Sequence, residues 1–191
     1  MEQLQKYFAS KLELTDKEWE FLFSKLSYEK VPKKTKLLDL NETENFVSFI
    51  ETGIVRLYIP KAKNDLTFCF AFKNSFICAY DSFLTQLPST YIVETVTDTV
   101  IWRIAYNDLQ NIYSDAKIGN TINTISRIAT EEMYLLHLKR ELSLLNDSAE
   151  ERYLKLFSEE PELIHEVPLK YIASYIGVTP QALSRIRSRI N

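Results

Sequence analysis

Near Asn107 the sequence changes period once and does not change back. Before that point, segments 28–40, 46–50, 54–60, 66–72, 91–97 and 100–105 are rich in Val, Ile, Thr and aromatics and are separated by polar or turn residues, the pattern of short strands. Glu51, Thr52 and Gly53 are read as a hairpin turn, as are residues 61–65 and the pair Thr97 and Asp98. No stretch of crossover-helix length separates the strands, so a parallel sheet is excluded and an antiparallel sandwich or barrel is expected. A short helix precedes them. Its start is marked by the capping box Thr15 to Glu18, and Trp19, Phe21, Leu22, Phe23 and Leu26 follow.

From Asn107 to about Glu159 the chain reads as helix, with one break near Asn146 and Asp147. Ile118, Ile122, Ile125 and Ala129 are spaced 4, 3 and 4, and Leu135, Leu138, Leu142 and Leu145 are spaced 3, 4 and 3. That is a coiled-coil seam. Burial against the chain's own sandwich can account for one face of this helix. A helix of roughly 25 residues, at about 1.5 Å per residue, extends beyond a small sandwich, so a second copy is the expected partner for the rest. Ile118, Ile122, Ile125, Ala129, Leu135, Leu138 and Leu142 are the candidate dimer contacts.

Residues 167–189, VPLKYIASYIGVTPQALSRIRSR, read as helix, glycine turn and second helix. Leu169, Ile172, Ala173 and Ile176 keep an apolar face, Gly177 can adopt φ > 0 at the C-terminus, Thr179 caps the next helix, and Pro180 occupies its first position. Ala182, Leu183 and Ile186 are expected to pack inward, leaving Gln181, Ser184, Arg185, Arg187 and Arg189 outside. Guanidinium and amide groups can each make paired hydrogen bonds to base edges, and hydroxyls can hold phosphates. Between Val167 and Asn191 there are four cations, Lys170, Arg185, Arg187 and Arg189, and no acid, whereas the whole chain carries −3. The remainder therefore carries −7, and a basic end on an acidic protein is drawn locally to nucleic acid.

At 191 residues two small domains are preferred over one large one. Cys69 and Cys78 lie in the apolar contexts FCFAF and FICAY. They are read as buried thiols of a reducing interior, with a bridge between them left open. The start MEQLQKYF lacks the basic and apolar regions of a signal peptide, and no apolar run approaches the ~20 residues that span a bilayer, so a cytoplasmic protein without a membrane partner is expected. No catalytic constellation is present: His137 and His165 are far apart in sequence, no metal-ligand spacing occurs, and no Gly-rich phosphate loop is found. An enzyme is not expected, nor is a bound metal or cofactor.

The order of sandwich, long helix and helix-turn-helix resembles the Crp/Fnr family of bacterial transcription regulators over nearly the whole chain, most specifically in residues 148–188. FIETGIVRLYI, residues 49–59, is similar to the family's hairpin around Gly53, and residues 81–104 are similar to the sensor segment containing a short pocket helix. The resemblance implies an α+β chain of two domains. An N-terminal antiparallel β-sandwich or jelly roll, cyclic-nucleotide-binding-like, takes residues 1–115, and a dimerisation helix takes 116–146. A winged-helix-like helix-turn-helix domain with a shortened wing takes 147–191. It further implies a homodimer on a pseudo-palindromic DNA duplex, with RNA polymerase as a protein contact and a small-molecule effector. Gln181, Ser184 and Arg185 match the family's base-reading positions, and Lys170 and Thr179 match places near phosphate; the parts given to Arg187 and Arg189 rest on charge alone.

The departures bear on the effector. Family members that bind cyclic AMP use a Gly-Glu pair and an Arg-Ser or Arg-Thr pair around the phosphate. Here the only glycines are Gly53, Gly119 and Gly177; residues 74–77 stand where Gly-Glu would be, and residues 87–90 where the arginine pair would be. The sequence therefore argues against a cyclic nucleotide, leaving Tyr80, Ser89 and Thr90 as candidate pocket residues. Two cysteines cannot supply a four-cysteine iron-sulfur set. The alternative reading is a ligand-binding or interaction module whose C-terminal helices dock a partner other than DNA, with Phe68, Phe70, Phe72, Phe76 and Tyr80 lining an apolar pocket or, as ordinary core, none.

Overall fold

A computed structural model describes residues 2–11 and 14–190. Two short helices, α1 (Glu2–Ala9) and α2 (Asp16–Ser24), lead into strands β1 (Leu26–Val31), β2 (Lys36–Leu38), β3 (Phe46–Thr52), β4 (Val55–Ile59), β5 (Leu66–Ala71) and β6 (Phe76–Ile77). Helix α3 (Tyr80–Thr85) precedes β7 (Ile92–Thr95) and β8 (Thr99–Ala105). The rest is helical: α4 (Tyr106–Tyr113), α5 (Gly119–Asn146), α6 (Ala149–Glu159), α7 (Pro161–Glu166), α8 (Leu169–Tyr175) and α9 (Pro180–Ile190). Among the described residues the strands form two four-stranded sheets, ordered β1-β8-β3-β6 and β2-β7-β4-β5, with every named pairing antiparallel. None of the described helices is long and apolar enough to cross a membrane.

The alternation of side chains along a strand divides the core. On β3, Phe49 joins the cluster beneath α1, α2, α4 and the start of α5, whereas its neighbour Ile50 joins the cluster between the sheets with Val55, Leu57, Val93 and Ile101. A third cluster joins Ile54 and Phe70 of the sandwich to Tyr153, Leu163, Ile172, Ile176, Leu183 and Ile186 of the C-terminal helices. The C-terminal helices and the sandwich therefore share one apolar core.

The loop over residues 60–65 does connect a paired hairpin, β4 with β5, but the other two turns are corners. Gly53 carries the chain from β3 in one sheet to β4 in the other, and Thr97 and Asp98 carry it back from β7 to β8. The corners lie back to back: the Ile54 amide donates to Thr97 Oγ1 at 2.9 Å, and the Val96 amide to the Ile54 carbonyl at 2.7 Å. Gly53 has φ +99°, and a Cβ there would stand 2.7 Å from the Asp98 carbonyl oxygen and 2.8 Å from Thr99 Cα. Those are backbone atoms, which no rotamer change can move. Gly53→Ala should therefore cost about 1–3 kcal/mol through backbone strain alone, read as a lower urea midpoint at unchanged slope. An unchanged midpoint would mean that the corner can open.

Three boundaries differ from expectation. Helix α1 was not anticipated from the sequence; it is short, but Leu4 and Phe8 at i and i+4 are both buried under the sandwich. Leu26 opens β1 rather than closing α2, although the Thr15 cap is present as expected, with the Thr15 amide donating to Glu18 Oε2 at 2.8 Å. The long helical run is also broken at residues 114–118. There Asp115 Oδ1 accepts from the amides of Lys117 and Ile118 at 2.8 and 3.1 Å, a local turn that competes with the helix.

Candidate nucleic-acid interface

Helix α8 ends in a Schellman turn. The Val178 amide donates to the Ala173 carbonyl at 2.9 Å and the Gly177 amide to Ser174 at 3.1 Å, with Gly177 at φ +78°. Thr179 Oγ1 accepts from the Ala182 amide at 3.2 Å, so α9 starts at Pro180 with its third amide satisfied. Ile172, Ala173, Ile176, Leu183 and Ile186 are buried at the crossing of the two helices. Ala173 has no side chain beyond Cβ, and that lets the helices approach closely.

Outward from this crossing, Gln181, Ser184, Arg185 and Ser188 are exposed at i, i+3, i+4 and i+7, a single stripe along α9. Ser188 was missed by sequence reasoning, although its i+7 spacing from Gln181 could have found it; its hydroxyl donates to the Ser184 carbonyl at 3.0 Å. Arg185 has no ion-pair partner among the described residues. Arg187 is partly buried on one flank. On the other flank Arg189 stands 3.3 Å from Glu150 of α6, so part of its charge is already answered within the chain. Lys170 and Thr179 are exposed near the two helix starts, with Lys170 Nζ lying 5.0 Å from the Tyr171 ring centroid.

Three sets of contacts fix α8. Its outer side rests on the edge strand β5, where the Ser174 hydroxyl donates to the Asp65 carbonyl at 2.7 Å and accepts from the Thr67 amide at 2.8 Å. Beside it the guanidinium of Arg56, 2% exposed, lies between the rings of Tyr58 and Tyr171, 3.8 and 3.6 Å from their centroids. The last carbonyls of α8 are held by two arginines: Arg140 Nη2 donates to Tyr175 and Arg152 Nε to Ile176, each at 2.8 Å. Cations at these carbonyls complement the negative end of the helix.

Helix α5 presents two different faces, which corrects the expected seam. Ile118, Ile122 and Ile125 are 2–3% exposed and packed against Leu4, Phe8, Phe83 and Leu109 of the same chain. They are core, and no partner can reach them. Ala129 is half-buried in a cleft wall. Leu135, Leu142 and Leu145 are instead exposed by 61, 55 and 79%, with Leu138 partly buried beside them. At about 100° per residue this stripe points well away from the buried isoleucines. Only the second half of the spacing pattern is available to another chain.

Between β5, α3, α5 and α8 lies a cleft of about 1080 Å³. Tyr80 is in its wall, as expected, with its hydroxyl 3.1 Å from Thr130 Oγ1. Ser89 and Thr90 are not. The Ser89 hydroxyl is buried in its own loop, donating to the Tyr91 carbonyl at 2.8 Å, and Thr90 is exposed outside the cleft. Tyr91 takes the wall position instead. The two cysteines are free thiols on the same wall. Burial raises the Cys69 thiol to about 11 and raises Cys78 as well, so both are protonated at neutral pH and poor nucleophiles or ligands.

No family model matches the chain, and no curated protein matches it. Solved structures do. A protein from Eubacterium rectale described as a transcriptional regulator of the Crp/Fnr family superposes with a TM-score of 0.73 at 15% identity, over 92% of this chain and 83% of that one. The c-di-GMP-responsive global regulator CLP of Xanthomonas campestris gives 0.73 at 16% identity, over 90% and 89%. A cyclic nucleotide-binding domain-containing protein from Listeria monocytogenes gives 0.69 at 15% identity, over 98% and 90%. The chain thus has the α+β fold of those regulators, a cyclic-nucleotide-binding-like sandwich followed by a long helix and a C-terminal helical region.

Proposed function

We propose that this chain is a Crp/Fnr-type transcription regulator, acting in the cytoplasm as a homodimer that reads a pseudo-palindromic DNA duplex and catalysing no reaction. The observation that carries this reading is the α9 stripe. Gln181, Ser184 and Arg185 stand exposed on one face of a capped helix, behind which α8 is anchored by hydrogen bonds at its C-terminal end. Arg185 suits a guanine edge and Gln181 an adenine edge; Lys170 and Thr179 suit phosphates. Arg187 and Arg189 supply charge on the flanks, Arg189 less so because of Glu150. The likeness in fold to solved regulators supports the same reading, and the outward leucines of α5 support pairing.

Arg185→Ala should weaken binding to the selected duplex by about 1–3 kcal/mol and relax preference at one base pair per half-site. The site comes from selection in a random duplex pool, and affinities from fluorescence anisotropy at several salt concentrations. Unchanged base preference in the variant would remove Arg185 from the reading. A pool that yields no symmetric site would favour the alternative, a module whose C-terminal helices dock another protein.

A further inference from the structure

Among the described residues, one guanidinium of the cleft beside α8 has neither a carboxylate partner nor a hydrogen bond from its Nε. Two cleft cations have carboxylate partners: Lys139 holds Glu159 with two contacts of 2.9 Å, and Lys155 holds Asp147 at 2.7 Å. Arg152 donates to two backbone carbonyls, Ile176 and Asp147, that need a donor at helix ends. Arg140 differs. It donates Nη2 to the Tyr175 carbonyl and lies 4.6 Å from the Tyr175 ring centroid, but no carboxylate pairs with it among the described residues and its Nε is buried without a hydrogen-bond partner. A guanidinium N–H left unpaired away from water is costly.

Away from these charged groups, much of the cleft wall is apolar. Phe68, Phe70, Tyr91, Met133 and Leu136 line the cleft, and the thiols of Cys69 and Cys78 add no charge. The His137 imidazole, pushed down by burial and by the Arg140 charge, adds none at neutral pH. We infer that this cleft binds a small amphipathic monoanion, an apolar chain or ring system bearing one carboxylate, and that Arg140 receives the carboxylate. The aromatic and aliphatic walls take the apolar body, and the carboxylate supplies the missing counter-charge. A phosphodiester fits less well, because no glycine turn opens backbone amides to it in this wall.

The position of Arg140 gives the ligand a direct route to the reader. The carbonyl that Arg140 holds belongs to Tyr175, the last residue of α8, and the Tyr175 ring packs on Phe70 of β5 at 5.1 Å between centroids. A carboxylate competing for Arg140 alters the grip on the helix that supports α9. This regulatory consequence rests on α9 being the DNA reader; the binding inference does not.

Isothermal titration of the full chain with decanoate, decanol and cyclic AMP tests it. Decanoate is expected to bind at least tenfold more tightly than decanol, with no heat from cyclic AMP. Arg140→Met should bring decanoate and decanol within threefold of each other, and Leu136→Trp, which enlarges a side chain of the cleft wall, should weaken both at least tenfold. Equal affinities for decanoate and decanol in the wild type, a preference that survives Arg140→Met, or binding unaffected by Leu136→Trp would each overturn the inference. If Arg140→Met fails to fold, the wild-type ratio and Leu136→Trp still decide it. Duplex affinity measured without ligand separates the two readings: intact DNA binding with no decanoate preference overturns the ligand assignment alone, and decanoate preference without DNA binding overturns the reader.

Discussion

Arg56→Met is expected to lower folding stability by about 3–5 kcal/mol, the cost of breaking a buried ion pair by removing one partner. Arg56 Nε and Nη2 donate to Glu94 Oε1 at 3.0 and 2.8 Å, Nη2 also reaches Asp65 Oδ2 at 3.3 Å, and Nη1 reaches Thr67 Oγ1 at 3.3 Å. Methionine fills much of the volume between Tyr58 and Tyr171 but answers none of these acceptors. Glu94, with its side chain 13% exposed, is then left as a nearly buried charge without a cation. Lysine is not a conservative replacement here, since it keeps the charge and loses both the fork toward Glu94 and the planar stacking on two rings. Arg56→Met combined with Glu94→Gln should recover part of the loss, because the uncompensated charge is gone. Urea denaturation of the three proteins gives the comparison, and a loss below about 1 kcal/mol would mean that the pair is solvated like a surface bridge. Tyr171 is on α8, so the same variant should also speed amide exchange in that helix relative to the sandwich.

How much of this could be read from the chain itself depends on the range over which each signal acts. The turn from α8 to α9 was legible to the residue, because the Gly177 conformation, the Thr179 cap and the Pro180 start are chosen by neighbours within a few positions. The strands were legible as strands, but their partition between sheets was not. Gly53 looks the same in a hairpin as in a corner, and only the opposed Asp98 and Thr99 backbone distinguishes the two. The apolar spacing of α5 was found, yet it merged two stripes. Ile118 to Ile125 and Leu135 to Leu145 share a period, and what separates them is the position of α1 and α4 against the first stripe, a contact distant in sequence. The pairing of Arg56 with Glu94 and the docking of α8 on β5 lie in the same class: 38 residues separate the charged partners and 107 separate Ser174 from Thr67. Ser89 failed as a pocket residue because its hydroxyl had a nearer partner in its own loop.

The largest functional effect is expected from Leu142→Glu with Leu145→Glu. In a pair related by a two-fold axis every substitution counts twice. Each leucine buried at such a seam contributes about 1.5–3 kcal/mol, and each glutamate placed there faces its own copy across the axis. The isolated chain loses little, since both side chains are exposed in it, 55 and 79%, so the thermal unfolding of the sandwich should hardly move. Sedimentation at micromolar concentration should show a dimer in the wild type and a monomer in the double variant. Binding to the symmetric duplex should then fall by roughly 10²-fold or more, because the second half-site is no longer engaged at the high effective concentration that dimerisation provides. A duplex carrying one half-site should be bound about equally by both proteins, which separates loss of pairing from damage to α9. A double variant that stays dimeric would place the interface elsewhere on the molecule. A wild type that is monomeric yet binds the symmetric duplex as tightly as the dimer is expected to would remove the α5 seam from the mechanism altogether.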